Sequence, residues 1–593
     1  MERLRQILPL FASLRGYDRG AFGSDAMAGL TTAIMLVPQA MAYAMLAGLP
    51  PEVGLYASML PLVAYALLGT SRQLAVGPVA MDSLLVASAI APLAATGNAE
   101  YIALALLLAF MTGLAQIGMG VFRLGFLVNF LSQPVVSGFT SAAALIIGLG
   151  QLKHLLAVDL FAGSAGHGVL DDVLAQLQHV NLPTVVIGAA SIATLVALKR
   201  WAPRVPRALV VVAVASLAVW ALDLHSAGVP IVGELEAGLP PLALPALDAA
   251  RVEALLPTAL TLALIAFMEA FSVARVFARQ NRYDLDANRE LIALGAANVA
   301  ASVSGGYSVT GGFSRTAVNA QAGAKTGVAA LVTASIIAVT ALFLTPLFNY
   351  LPKAVLAAII VTAVLGLIEV GEVRRLWRVK RSDLVFLVVT FAATLGLGIQ
   401  QGILIGVATS IGWLVIKTTR PHTAVLGRLP QTTYYRNVKN HPSAERTPGV
   451  LALRMDARLY FGNVAHLKRI LTSELGADAA DGCKAVVVDA SSINDLDSSG
   501  ATALEDLRAD LEAQGVTLLL ANVKHPVRQV MQRAGFCDRL GADHFFEDVH
   551  AAVTHAGDIA RACHAGRAPG PGDPPAPASG RQPASSRLME SVK

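Results

Sequence analysis

The sequence predicts a polytopic α-helical membrane protein of about fourteen spans, followed by a smaller soluble α/β domain. Composition is the first observation behind this: of 593 residues, 55% are hydrophobic and only 14% are charged, and the mean hydropathy is +0.60. Such values belong to chains solvated by lipid rather than by water. The second is a succession of apolar runs, separated by short polar breaks, from Asp25 to Ile416. The third is an abrupt change after Arg420, where strand and helix patterns alternate in a polar background.

The spans are read near 27–47, 53–69, 74–95, 101–121, 128–152, 183–199, 208–223, 256–277, 291–304, 312–324, 328–347, 355–370, 384–398 and 402–418. A membrane helix needs ~20 apolar residues; several runs are shorter or broken by Gly, Pro or a charge, so the count carries a margin of about two. Loop charges test it independently, because cytoplasmic loops collect Lys and Arg. With the N-terminus inside, the inner loops hold Arg72, Arg123, the basic groups at 199–207, 275–289 and 374–381, and Lys325. The outer loops hold only Lys153, Arg251 and Lys353, beside the acidic Glu234, Glu236, Asp248 and Glu253. Removing one span would scramble this alternation, so both termini are expected in the cytoplasm. Residues 1–24 are basic and lack the apolar core of a cleavable signal peptide.

The soluble part begins after a polar linker at 419–448. Strands are expected at "VLALRM" (450–455), "KAVVVDA" (484–490) and "VTLLLANV" (516–523), with helices at 499–515 and 525–535. This alternation builds a small α/β domain ending near 556, and the Pro/Gly/Ser-rich remainder, 557–593, reads as a disordered tail. Cys483, Cys537 and Cys563 have no C-x-x-C spacing, which argues against a disulfide framework, a zinc site or a redox motif.

Two spans carry the chemistry. "AVGPVAMDSLL" (75–85) and "TGGFSRTAVN" (310–319) each open on a helix breaker, Gly77-Pro78 or Gly311-Gly312, and continue as a short apolar helix. A helix broken at membrane depth exposes its first-turn N–H groups, which only a cavity or a binding site tolerates. Free amides and the positive end of the dipole make an anion cradle. Half-helices at corresponding places, here the third and tenth spans, point to a transporter's central site. Arg315 stands at the start of the second one, where it adds a whole charge. The alternative is a structural pair with an acidic neighbour, or a side chain reaching toward the interface. Glu269, in the apolar "LALIAFMEAFSVAR", and Asp82, just past Gly77-Pro78, are the intramembrane carboxylates and the candidate ion-coupling groups. A static ion pair with Arg315 is the competing reading for Glu269, and a structural role leads for Asp82. In the first span Gln39 and Tyr43 follow Pro38 and share a helix face, placed to contact a substrate or to pack between helices.

The stretch 36–80, with "PPEVGLY" and "GTSR", together with "GGFSRTAVNAQAGAKTGVA" (311–329) and "DLDSSG" (495–500), resembles the SulP family of anion transporters, the sulfate permeases. The last motif is similar to that of the STAS domain which ends these proteins. The resemblance runs from about 22 to 556. It implies a uracil-permease-like fold of two inverted seven-span repeats, in which spans 1–4 and 8–11 form a core that moves against a gate, commonly within a homodimer. The domains would be a cytoplasmic segment 1–24, a transmembrane transport domain 25–418, the linker, a STAS domain 449–556 and the tail. Carried over by position, Gln39 and Tyr43 line the substrate site from span 1, Val79 and Ala80 from the first half-helix, and Phe313, Ser314 and Arg315 from the second. Glu269 falls where sulfate-type members carry Glu and others an Asp used for sodium, which favours proton over sodium coupling. Asp82 departs from the hydrophobic residue expected at its place. Ser498 matches the serine phosphorylated in bacterial anti-sigma antagonists of the STAS fold.

The function expected is secondary active transport of an inorganic oxyanion, most simply proton-coupled sulfate uptake by elevator-type alternating access, across the inner (plasma) membrane. Bicarbonate and C4-dicarboxylates fit the same scaffold. An uncoupled anion channel, in which Glu269 is structural, is a second class; a membrane-anchored signalling protein acting through the STAS domain is a third, which needs neither half-helices nor Arg315. No metal-ligand cluster, nucleophile elbow or phosphate loop supports an enzyme, and no cofactor or nucleic-acid partner is expected.

Overall fold

Lipid offers no partner to backbone N–H and C=O groups, so apolar runs of this length close their hydrogen bonds internally as helices. A computed structural model of the chain describes residues 9–14, 16–129, 132–158, 180–202, 205–235, 237–240, 242–477 and 482–564. Nine helices among the described residues are long and apolar enough to cross a membrane. These are spans 1 (Arg19–Leu46), 2 (Pro51–Leu68), 4 (Ala99–Val121), 5 (Gln133–Leu156), 6 (Leu182–Trp201), 8 (Ala249–Asn281), 11 (Val328–Phe348), 12 (Lys353–Val379) and 14 (Gln401–Thr419). Shorter helices fill the other five places: span 3 (Ala80–Ile90), span 7 (Arg207–Ala221), span 9 (Ala287–Val303), span 10 (Phe313–Gln321) and span 13 (Arg381–Leu397). The fold is that of a polytopic α-helical membrane protein with a C-terminal α/β unit.

Packing groups the spans into two bundles that meet where span 1 touches spans 7 and 12. Span 4 packs on spans 8 and 9, span 2 on span 9, and spans 10 and 11 on span 1. Separately, span 5 packs on span 13, and span 6 on spans 7 and 12. Small residues let the first bundle close. A Cβ at Gly113 would lie 2.6 Å from the Gly295 carbonyl oxygen, and one at Gly295 would lie 2.6 Å from that of Gly113. Spans 4 and 9 therefore touch backbone to backbone. Gly295→Leu is expected to cost about 1–3 kcal/mol by overpacking. A lower thermal midpoint in detergent, with Gly118→Leu as a control at a site whose Cβ meets no atom within 4 Å, checks this.

The span 1 helix starts at Arg19, not at 25, because Asp18 caps it by accepting from Ala21 N at 2.6 Å. The first span thus reaches into the segment read as N-terminal; residues 1–8 and 15 lie outside the described residues.

The C-terminal unit, from Gly412, carries a six-stranded sheet in the order β4-β3-β5-β6-β7-β8. Strands β5 (Val450–Met455), β6 (Ala485–Asp489), β7 (Thr517–Ala521) and β8 (Phe545–Phe546) are parallel, and their near-continuous apolar runs are buried as parallel strands require. Strands β3 (Thr423–Arg428) and β4 (Tyr435–Asn437) correct the reading of 419–448 as a linker. β3 pairs antiparallel with the end of β5, Thr423 opposite Met455, and β4 pairs with β3. Helices at Val464–Ala477, Ser498–Ala513 and His525–Arg533 cover one face of the sheet through Leu467, Leu504, Leu507 and Met531. The last helix, Val549–His564, covers the other through Ala552, Val553 and Ala556. It runs past 556, where the sequence placed the end, because its apolar face continues to the buried Ala560. The rest of the tail lies outside the described residues. On the helix surface, hydrogen bonds from Arg508 hold Glu505 below the usual carboxylate range.

Candidate functional site

The site is built where the two half-helices begin. Strands β1 (Val76–Gly77) and β2 (Thr310–Gly311) pair antiparallel, Val76 opposite Gly311 and Gly77 opposite Thr310. Each chain then turns into a helix, with Val79 and Gly312 as N-caps and no side-chain cap on either. The first-turn amides of both helices are left for a ligand or water. Glycine is required here for two reasons. Gly77 has φ +156°, and a Cβ at Gly311 would lie 2.6 Å from Leu74 Cδ1.

Polar side chains hold the pairing. Asn298 of span 9 accepts from Ser308 Oγ and Val309 N, and donates to Val309 O, Leu294 O and Gln116 Oε1. Thr310 Oγ1 donates to Ala266 O at 2.6 Å, tying β2 to span 8 one turn before Glu269. Thr316 Oγ1 accepts from Ala75 N, and Asn319 Nδ2 donates to Gln73 O at 2.9 Å.

Arg315 is 1% exposed and, among the described residues, pairs with no carboxylate within ion-pair distance. Its Nη1 donates to Pro78 O, and its Nη2 donates to Gly77 O at 3.1 Å. The guanidinium of one half-helix therefore clasps the backbone that enters the other, and its Nε keeps no partner. Glu269, Tyr43, Tyr307 and Asp82 lie within reach of its charge.

A cavity of about 770 Å³ opens beside this junction. Met81, Glu269, Ser272, Arg275 and Phe313 of spans 3, 8 and 10 form one side. Ser137 and Thr140 of span 5, Glu369 beyond span 12's first stretch and Ile403 of span 14 form the other. The cavity thus lies between the two bundles, with room for a small anion and its water. Glu269 lines it, and its enclosed Oε2 has no hydrogen-bond partner. Ser137 Oγ donates to Glu369 Oε2 at 3.1 Å across the far wall.

Of the residues singled out in the sequence, Glu269 and Phe313 line this cavity. Ser314 is exposed on the first turn of its half-helix. Gln39, Tyr43, Val79, Ala80 and Asp82 are buried behind the wall, Gln39 with an unpartnered Oε1 and Asp82 with neither oxygen bonded. Ser498 is the exposed first residue of its STAS helix, which Asp497 caps through Gly500 N at 2.6 Å. No cluster that could hold a metal occurs among the described residues. Sequence reasoning missed Asn298, whose only signal was an amide within the apolar "LGAANVAAS", and the polar far wall, which only packing brings into place.

The sulfate permease family model matches residues 22–390, and the STAS domain model matches 441–552. Among curated relatives, "Sulfate transporter 4.1, chloroplastic" of Arabidopsis thaliana is 39% identical over 563 residues, covering 92% of this chain and 82% of its own. "Probable sulfate transporter Rv1739c" of Mycobacterium tuberculosis is 36% identical, covering 92% of this chain and 97% of its own. The solved inward-facing structure of the murine Solute Carrier 26 family member A9 anion transporter matches with TM-score 0.86 at 27% identity, over 94% of this chain and 95% of that one.

Proposed function

This chain belongs to the sulfate permease family, and on that premise we propose that it takes up sulfate together with protons by alternating access. As an anion transporter of that family it is a transport protein and not an enzyme. One observation carries the finer reading. Glu269, a carboxylate with an unpartnered oxygen, lines the cavity into which a half-helix N-terminus opens, within reach of the Arg315 charge. An anion held by amides and a guanidinium, next to a group that can take or give a proton, is the minimum a symporter needs. The names of the curated relatives support sulfate as the anion.

Elevator movement of spans 1–4 and 8–11 against the rest is supported by the cavity's place between the two bundles. The alternation of basic loops supports a cytoplasmic N-terminus. On that orientation Arg275 and Glu369, toward the cytoplasmic ends of their helices, make the cavity inward-open. Gln39 and Tyr43, Val79 and Ala80, and Phe313, Ser314 and Arg315 would close around the anion during the cycle. A homodimer in the inner (plasma) membrane belongs to the same reading and rests on the family resemblance.

Labelled sulfate uptake into proteoliposomes, with and without acid outside, tests the proposal. Wild type should accumulate sulfate in proportion to the gradient. Glu269→Gln should keep sulfate exchange but lose about tenfold in steady accumulation per pH unit, the worth of one proton. Accumulation in the variant equal to wild type would remove Glu269 from coupling. Gradient-independent flux would indicate a channel, and uptake of bicarbonate or fumarate without sulfate would change the substrate.

A further inference from the structure

Three carboxylates among the described residues of the transmembrane domain are fully enclosed: Asp25, Asp82 and Glu290, each 0% exposed. Two are plainly structural. Asp25 accepts from Tyr17 Oη, Lys325 N, Thr326 N and Thr326 Oγ1. Glu290 accepts from Tyr65 Oη, Thr70 N, Thr70 Oγ1 and Ser71 N. Each is an anion satisfied by four donors. Asp82 is the opposite case, because neither of its oxygens has a partner. An enclosed anion without donors is heavily penalised, and a proton removes the penalty. A structural role needs partners, and Asp82 has none.

Its surroundings are few. The charges of Glu269 in span 8 and Arg315 in span 10 act on it. Tyr307 approaches from the segment before β2, with its hydroxyl 2.8 Å from Ser83 Oγ, and Tyr43 of span 1 stands beside Arg315 and Tyr307. Span 5 carries no charge along Gln133–Gly150, and span 4 carries only Glu100 at its start. Met81, the neighbouring residue, lines the cavity, so Asp82 lies just behind the wall.

The charges can then be counted. Arg315 contributes one positive charge, and the two half-helix N-termini contribute about +0.5 each. With Asp82 and Glu269 both ionised, the empty site is neutral. Sulfate brought in alone would leave it doubly negative in a low-dielectric enclosure. With both carboxylates protonated, the sulfate-loaded site is neutral again. One proton leaves a net charge of −1. The two states that must cross the membrane are therefore both neutral only when each dianion travels with two protons.

We propose that Asp82 is a second proton carrier beside Glu269, so that two protons enter with each sulfate and the cycle moves no net charge. This deepens the sulfate–proton reading above and rests on it.

The test is the zero-flux point of the full-length protein in proteoliposomes, with labelled sulfate on both sides, pH set by buffers and membrane potential by valinomycin and potassium. For wild type the sulfate ratio at zero flux should change about 100-fold per pH unit, since each proton is worth about tenfold, and should not move with potential. Asp82→Asn should change it about tenfold per pH unit and make it move with potential. Asp82→Val, which supplies the apolar residue instead, should do the same. Exchange of labelled for unlabelled sulfate at equal concentrations shows which variant is folded and binding. A wild-type ratio of about tenfold per pH unit, dependent on potential, overturns the proposal while leaving sulfate–proton symport intact. A variant that keeps the wild-type ratio overturns it as well. A wild-type ratio indifferent to pH instead defeats the symport reading itself.

Discussion

Arg315→Ala should reduce transport efficiency for any anion by about 10²–10⁴-fold, because it removes two charge-assisted hydrogen bonds worth ~1.5–3 kcal/mol each. Two effects coincide in this residue. Its charge adds to the half-helix dipoles, and its two Nη atoms clasp Pro78 O and Gly77 O, the backbone that leads into the opposite half-helix. Without it, two buried carbonyls lose their donors, and the β1–β2 crossing is left to backbone pairing and to the bonds of Thr316 and Asn319 across it. Arg315→Lys separates the effects. An ammonium keeps the charge but cannot present a planar fork to two carbonyls at once. If charge alone mattered, Arg315→Lys would transport nearly as well as wild type; if the clasp matters, it should resemble Arg315→Ala. Initial rates of labelled sulfate uptake over a range of concentrations, with thermal midpoints in detergent, decide between them. Efficiency within tenfold of wild type in Arg315→Ala would show that the junction is held and charged by other groups.

Why lipid-like sequence carries an arginine is legible in part. Broken helices are legible because Gly77-Pro78 and Gly311-Gly312 interrupt apolar runs, and the runs themselves locate the spans, since lipid leaves the backbone few options. Arg315's partners were not legible. They are carbonyls 237 and 238 residues away, and a carbonyl has no sequence signature. The same limit hid β3 and β4, whose short, polar segments become strands only by adding to β5. It also hid the difference between the enclosed carboxylates. In sequence, Asp25 and Glu290 look like ordinary charges at helix starts, and Asp82 looks like an intruder. The structure reverses their interest by showing which have donors.

Glu290 carries the second large expectation. Glu290→Ala should destabilise the transmembrane domain by about 3–5 kcal/mol, the range for removing one partner from a buried charged network. Its oxygens accept from Tyr65 Oη, Thr70 N and Thr70 Oγ1 at 2.6 Å each and from Ser71 N at 3.1 Å, so one substitution strands four donors. Three of those donors belong to Thr70 and Ser71 of the "GTSR" loop and the fourth to Tyr65 of span 2, which explains the motif as a binding sequence for span 9. Tyr283, whose phenol burial pushes up from its ordinary value, closes the same loop by donating to Gln73 Oε1 at 2.7 Å. Gln73 O in turn receives Asn319 of the second half-helix. The loop thus sets where β1 begins, and with it where Gly77 and Pro78 meet Arg315. Loss of Glu290 should therefore raise KM for the anion in whatever protein still folds, beyond the loss of stability. Tyr65→Phe, which removes a single donor, should cost about 1–2 kcal/mol and leave KM unchanged. Thermal midpoints and uptake kinetics for both variants test the order. A Glu290→Ala protein as stable as Tyr65→Phe would mean that the loop is held by Tyr283 and Asn319, and that Glu290 only fills space.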